Sequence, residues 1–164
     1  MWRRRGCSWS SSTPCSPLSS AVATIERSAL VPYSAERMFA LVNDVRRYPE
    51  FVPWCAGAEV LAEDATRIEA TLRLRRSGVE HSFTTRNALT PPTAMRLELV
   101  DGPFEVFTGD WSFKPLAEDA CKIGLLLTFQ YRGRLATAAL SAVLSSSADT
   151  LVEAFCQRAK TLYA

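Results

Sequence analysis

The spacing of apolar residues changes twice along this chain, and the changes divide it into an opening strand and helix, a run of strands, and a closing helix. Residues 22–31 (Val-Ala-Thr-Ile-Glu-Arg-Ser-Ala-Leu-Val) read as a strand that Pro32 closes. Ser34 then offers an N-cap, and Met38, Phe39, Leu41, Val42 and Val45 fall three and four apart on one face of a helix ending around Arg47. From Val60 onward the spacing is two. Ile68, Ala70, Leu72 and Leu74 alternate with Glu69, Thr71, Arg73 and Arg75, and Ser77-Gly78 marks a hairpin turn. Val79, His81, Phe83, Thr85, Asn87 and Leu89 share one face of the next strand, which Pro91-Pro92 breaks. Met95, Leu97 and Leu99 follow in the same rhythm. Asp101-Gly102-Pro103 and Glu118-Asp119 turn the chain on either side of a strand with Trp111 and Phe113 on one face. Ile123, Leu125, Leu127, Phe129 and Tyr131 complete the series. The last change is back to helical spacing: Leu140, Leu144, Leu151, Phe155 and Leu162 mark one face of a helix from about Leu135 to Tyr163, with Ser145-Ser146-Ser147 at its centre.

Strands joined mainly by hairpins predict an antiparallel sheet with one face to bury, and a single amphipathic helix lying across a curved sheet buries it. The space between such a sheet and helix is often incompletely filled, which creates a cavity. Between the first helix and the sheet lies Val42–Cys55, Val-Asn-Asp-Val-Arg-Arg-Tyr-Pro-Glu-Phe-Val-Pro-Trp-Cys. Pro49 removes a backbone donor and Pro53 restricts the residue before it, so a rigid turn is expected. It carries Tyr48, Phe51, Val52 and Trp54, which must either plug a core or form the lip of an apolar cavity. If the turn stands beside the mouth of such a cavity, Tyr48, Phe51 and Trp54 form its lip.

The chain has 164 residues, 48% of them hydrophobic, which suits one domain with a real core. No apolar run approaches the roughly 20 residues that span a bilayer, so a soluble protein is expected. The net charge of +2 owes three positive charges to Arg3, Arg4 and Arg5; without them 16 Lys and Arg face 17 Asp and Glu. That balance argues against a broad electrostatic grip on nucleic acid, and no DNA partner is expected. Residues 1–21 are Arg-rich, Ser-rich and free of acid, and should be disordered. They read as a start site placed too far upstream, a tail, or an organellar transit peptide. Residues 22–164 form the domain.

Cys7, Cys15, Cys55, Cys121 and Cys156 are scattered, and His81 is the single histidine, so neither a disulfide framework nor a metal site is expected. Cys121 and Cys156 read as core residues, and Cys55, following Trp54, as the most reachable thiol.

Four segments in this order resemble the coenzyme Q-binding START-like family: Val42–Cys55, Phe83-Thr84-Thr85-Arg86-Asn87, Leu99-Val100-Asp101-Gly102-Pro103-Phe104, and Ala154-Phe155 with Arg158-Ala159-Lys160 and Tyr163. That family belongs to the helix-grip superfamily of polyketide cyclase-like and Bet v 1-like proteins, and the resemblance covers residues 23–164. It implies an α+β helix-grip (START/Bet v 1-like) fold, with a curved antiparallel sheet of about seven strands gripping a long C-terminal helix and short N-terminal helices. Two functions are described for the family. One is binding of ubiquinone or a related isoprenoid in the cavity, in support of respiration. The other is binding of the large ribosomal subunit so as to block its association with the small one, a toxin's action. The smaller, less aromatic side chains over Gly133–Ser147 depart from the family pattern and imply a wider cavity or a looser lid.

The resemblance makes a ubiquinone-binding protein the first expectation and the ribosome-directed inhibitor the alternative. For the ligand, Tyr48, Phe51, Trp54, Leu72, Phe83, Thr85, Leu97, Trp111, Phe113, Leu144 and Leu151 are the candidate contacts, held mainly by apolar area. Thr85, Asn87 or His81 could donate to a quinone head if their face is inward. For RNA, Arg73, Arg75, Arg76 and Arg86, and Arg132 and Arg134 before the long helix, are the exposed basic candidates. No Ser-His-Asp set, phosphate-binding glycine loop or carboxylate pair is present, so catalysis is not expected. The expected setting is a bacterial cytoplasm with transient contact with the inner membrane surface, or a mitochondrion if residues 1–21 are a transit peptide.

Overall fold

The computed structural model describes residues 22–76, 78–131 and 138–163. Residues 1–21, Ser77, Arg132 and Arg134, and the side chains of Arg76 and Leu144, lie outside the described residues. The elements are β1 (Ala23–Val31), α1 (Ala35–Asn43), a 3-10 turn (Val45–Arg47), α2 (Tyr48–Phe51), β2 (Cys55–Glu63), β3 (Arg67–Arg76), β4 (Val79–Thr90), β5 (Ala94–Asp101), β6 (Phe104–Ala117), β7 (Ala120–Tyr131) and α3 (Ala138–Tyr163).

All strands join one antiparallel sheet in the order β1-β7-β6-β5-β4-β3-β2. Each strand from β2 to β6 pairs with its successor, as hairpin connections require, while β1 closes on β7. The chain passes from one sheet edge to the other through α1 and α2. Register irregularities at Cys55/Gly57, Val60/Ala62, Thr84/Thr85, Phe104/Val106 and Pro115/Ala117 add local bend and twist to the sheet. One cross-strand row of the concave face runs Ile25, Leu127, Gly109, Leu97, Asn87, Ile68, apolar apart from the Asn87 amide. On the other face, arginines pair with neighbouring acids: Arg86 with Glu69, Arg96 with Asp110.

The Ser34 hydroxyl caps α1 by accepting from the Arg37 N–H at 3.3 Å. Met38 and Val42 are fully buried on that helix, and Phe39 meets the edge of Phe113. Two sequence expectations need correction. Within the segment expected as a rigid turn, Tyr48–Phe51 is a short helix, because Pro49 sits in the first turn, where its missing N–H has no partner to lose. The line of α3 against the sheet runs through Ala148, Val152, Phe155 and Ala159, all buried, while Leu162 is 51% exposed. The cause lies in the last turn. Tyr163 packs on Tyr33 at 5.7 Å and donates to the Arg37 carbonyl at 3.2 Å, which rotates its neighbour Leu162 outward.

Candidate functional site

Between the sheet and α3 lies a cavity of about 80 Å³. Its floor comes from inward residues of β3 to β7, such as Leu72, Phe83, Leu97, Trp111 and Leu127. Ser147, Ala148 and Leu151 of α3 roof it, and Val45, Tyr48 and Trp54 close one end. Two features of sequence keep it open. Ala70 and Ala148 put methyl groups where larger side chains would meet, and Gly109 has no side chain between Leu97 and Leu127. The space is several times what one water requires, and well short of the roughly 300 Å³ at the lower end for drug-sized ligands. It fits a small ring or the end of a chain; a longer molecule must leave through the mouth. There the Trp54 indole N–H donates to the Ser147 carbonyl of α3 at 3.1 Å, a latch between the β2 entry and the roof.

Thr85 and Asn87 interrupt the apolar floor, and Ser147 the roof. Thr85 and Asn87 are each 4% exposed, and they are the only buried polar residues among those described. The Asn87 Oδ1 atom has no hydrogen-bond partner.

Of the residues singled out from sequence, Tyr48, Trp54, Leu72, Phe83, Thr85, Leu97, Trp111 and Leu151 come together around this space. Phe51 and Phe113 do not. Phe51 lies on the outer side of α3, against Phe155 and under the Arg158 guanidinium, 5.2 Å from the ring centre. Phe113 is core, packed between Phe39 and Trp111. Tyr48 is a wall residue and not a lip: it is buried and its hydroxyl donates to the Val42 carbonyl. His81 pairs with Leu74 near the end of β4 and is exposed, away from the cavity. Phe104 and Phe107 also line the space and escaped the sequence reading, because the irregularity at Phe104/Val106 breaks the alternation. Met95, Leu125 and Leu127 carried the right alternation but nothing that separated lining from filled core.

Of the described arginines considered for RNA, Arg86 pairs with Glu69 at 3.1 Å. Arg75 pairs with Glu80 at 3.0 Å, and the Arg73 guanidinium lies over Gly57. The most reachable described thiol is that of half-buried Cys156; Cys55 is buried and donates to the Gly57 carbonyl at 3.3 Å. Burial pushes the Cys55, Cys121 and Cys156 thiols up, which makes them poor nucleophiles near neutrality. No group of three or more His, Cys, Asp or Glu suited to a metal occurs among the described residues.

Burial, and then the charges of Cys55 and Asp44, push the Tyr48 hydroxyl well above its ordinary value. Below about pH 10 both folded and unfolded chains keep this proton, and the stabilisation is complete. Above it the unfolded chain releases the proton and the folded one holds it, so stability falls by about 1.4 kcal/mol per pH unit for this group. Tyr48→Phe is expected to cost about 1 kcal/mol at pH 7. It should also flatten the decline above pH 10 in urea melts. An equal decline in both proteins would mean that Tyr48 ionises in place.

The fold and cavity together define a helix-grip protein with an internal apolar chamber. The chain belongs to the family of polyketide cyclases/dehydrases and lipid transport proteins, whose model matches residues 31–156. It is 50% identical over 139 residues to the ribosome association toxin RatA of Pseudomonas aeruginosa, covering 85% of this chain and 96% of that one. It is 27% identical over 135 residues to the mitochondrial coenzyme Q-binding protein COQ10 of Drosophila melanogaster, covering 80% of this chain and 56% of that one. In structure it resembles a START superfamily protein from Mycobacterium smegmatis, with a TM-score of 0.75 and 19% identity, over 85% of this chain and 98% of that one. No helix among the described residues is long and apolar enough to cross a membrane.

Proposed function

We propose that this protein acts on the ribosome in a bacterial cytoplasm, without catalysing a reaction: it binds the large subunit and blocks its association with the small one. The observation that carries this is the 50% identity, over 85% of the chain, to a ribosome association toxin. Because acid and base nearly balance in residues 22–164, the contact must be a local patch. Arg73 and Arg75 on β3 are its described members, with Arg76, Arg132 and Arg134 adjoining them in sequence or before α3. The Arg75–Glu80 pair is exposed and worth roughly 0–1 kcal/mol, so a phosphate can replace Glu80 at little cost. The purified protein is expected to co-sediment with large subunits at low salt. Binding should fall with salt at a log–log slope of about −4, as five phosphate contacts would give. Arg73→Ala with Arg75→Ala should reduce that slope by about 2. Absence of binding at low salt overturns the proposal.

A second reading concerns the chamber and is favoured by its buried polar pair, Thr85 and Asn87, set in an apolar floor. The chamber binds the head of an apolar ligand, ubiquinone or a related isoprenoid, whose tail leaves past Trp54 and which is collected at a membrane surface. The similarity to a coenzyme Q-binding protein supports it. The two activities use different parts of the molecule, the interior and the outer face of β3, and are compatible.

A further inference from the structure

The outer face of the sheet carries its cations in two ways. Arg75, Arg86 and Arg96 each pair with an acid of the same face. Lys114 of β6 and Lys122 of β7 do not. They stand directly across from each other, both exposed, and neither makes an ion pair or a hydrogen bond among the described residues. Like charges at directly opposed positions repel, so the arrangement works against the pairing of β6 with β7. Glu118 and Asp119, in the turn between the two strands, pair with neither lysine.

Beside the lysines the face sinks into a groove of about 370 Å³. Its floor is the next row on that face, Ser28 of β1, Gly124 of β7 and Ser112 of β6, which are direct neighbours. A Cβ on Gly124 would stand 2.6 Å from the Ser112 Oγ atom, so the missing side chain is what makes room for that hydroxyl. Both serines are exposed, and their hydroxyls are bonded to nothing among the described residues. The two acids of the lining lie toward its far end. Glu26 and Asp110 flank Leu126, four residues from Lys122 along β7 or about 13 Å, and Asp110 is taken up by Arg96.

Two ammonium groups and two hydroxyls thus surround one open space, all of them donors in want of an acceptor. A phosphodiester supplies it: one negative charge and two unesterified oxygens, enough to meet an ammonium and a hydroxyl together. We infer that Lys114 and Lys122, with Ser28 and Ser112, form a further contact for backbone phosphates of large-subunit RNA, on the same outer face as Arg73 and Arg75. This rests on the reading that the protein binds the large subunit, and it locates more of the surface that does so. A backbone that meets both sites crosses the face from β3 to β7, four strand spacings or about 19 Å.

Co-sedimentation with large subunits across a salt series tests it. The two lysines add to the five contacts counted above, so the unaltered protein should show a log–log slope of about −6 in place of about −4. Lys114→Ala with Lys122→Ala should bind about tenfold more weakly at about 0.1 M salt, with the slope shallower by about 2. Its melting temperature should be no lower, because a like-charge pair is gone. Lys160→Ala removes an exposed cation from α3, on the concave side of the sheet, and should change neither affinity nor slope. A double variant that binds as the unaltered protein does overturns the inference and leaves the ribosome reading standing. A loss seen with intact subunits and absent with protein-free large-subunit RNA assigns the surface to an acidic ribosomal protein and overturns the RNA contact. Absence of binding by the unaltered protein overturns both readings.

Discussion

Phe155→Ala is expected to remove about 3–5 kcal/mol of stability, the cost of deleting a fully buried phenylalanine. Phe155 is 0% exposed and stands where three parts of the protein meet. Its ring touches Tyr48 at 5.3 Å and Phe51 at 5.4 Å, both from α2, and Trp111 of β6 at 5.5 Å. All three contacts are edge-on, a geometry that adds roughly 0.5–1.5 kcal/mol per pair beyond area burial. The ring thus holds α3 to the sheet and to the short helix at once. A domain of this kind has roughly 5–15 kcal/mol in total, so the variant should melt about 10 °C lower or fail to accumulate. Phe51→Ala is the control: its ring is half-buried and touches the cluster from outside, so a loss of about 1–2 kcal/mol is expected. Thermal and urea melts of both variants decide the matter. A loss below about 1.5 kcal/mol for Phe155→Ala would mean that the polar links dominate the hold on α3. Those links include Arg27 to Asp149, Arg158 to Glu50, Trp54 to Ser147 and Tyr163 to Arg37.

The same cluster shows what could and could not be read from sequence. Alternation in β3 to β7 has only one solution for a sheet with a single buried face, because a slip of one residue would turn every apolar side chain to solvent. The helix-grip architecture was legible for that reason. Alternation says which way a side chain points, but not whether atoms stand opposite it. Trp111 and Phe113 share a face of β6; one borders the chamber and the other is packed beneath α1, since only Phe113 meets Phe39. Tyr48, Phe51 and Trp54 sit within seven residues and divide into wall, outer clamp and mouth, because a helical turn sends successive side chains in different directions. Reading that segment only as a rigid turn hid the division. Asn87 was visible from sequence as an inward polar group suited to donate. That its carbonyl stands without a partner depends on the neighbours across both adjacent strands, which no local pattern reports.

Gly102→Ala is the second substitution with a large expected effect, and the reason is steric contact added to backbone conformation. Asp101-Gly102-Pro103 joins β5 to β6, and Gly102 holds φ at +154°, a region that side chains other than glycine rarely adopt. An added Cβ would stand 2.7 Å from the Phe83 Cβ and 3.3 Å from its Cα. Those atoms belong to the framework of β4 and cannot swing aside as the end of a long side chain can. Strain of roughly 1–3 kcal/mol for the backbone, together with displacement of β4 or the turn, gives an expected cost of about 3 kcal/mol or more. Gly57 and Gly78 calibrate this. A Cβ at Gly57 meets only the guanidinium of Arg73, a flexible end that can move, and one at Gly78 meets nothing within 4 Å despite a φ of +77°. The Gly57 variant should cost about 1 kcal/mol or less, and the Gly78 variant roughly 1–2 kcal/mol for its left-handed backbone alone. The Gly102 variant carries a further consequence, because Phe83 is part of the chamber wall and packs on Phe104 at 6.0 Å and Phe107 at 5.3 Å. Pushing Phe83 inward narrows the space, so affinity for an apolar ligand should fall along with stability, whereas Gly57→Ala and Gly78→Ala leave it unchanged. Urea midpoints for the three variants, paired with ligand titrations, separate the two effects. If Gly102→Ala unfolds at the same urea concentration as Gly78→Ala, the turn has relaxed away from Phe83 and the close packing of β4 against it is not a constraint on the fold.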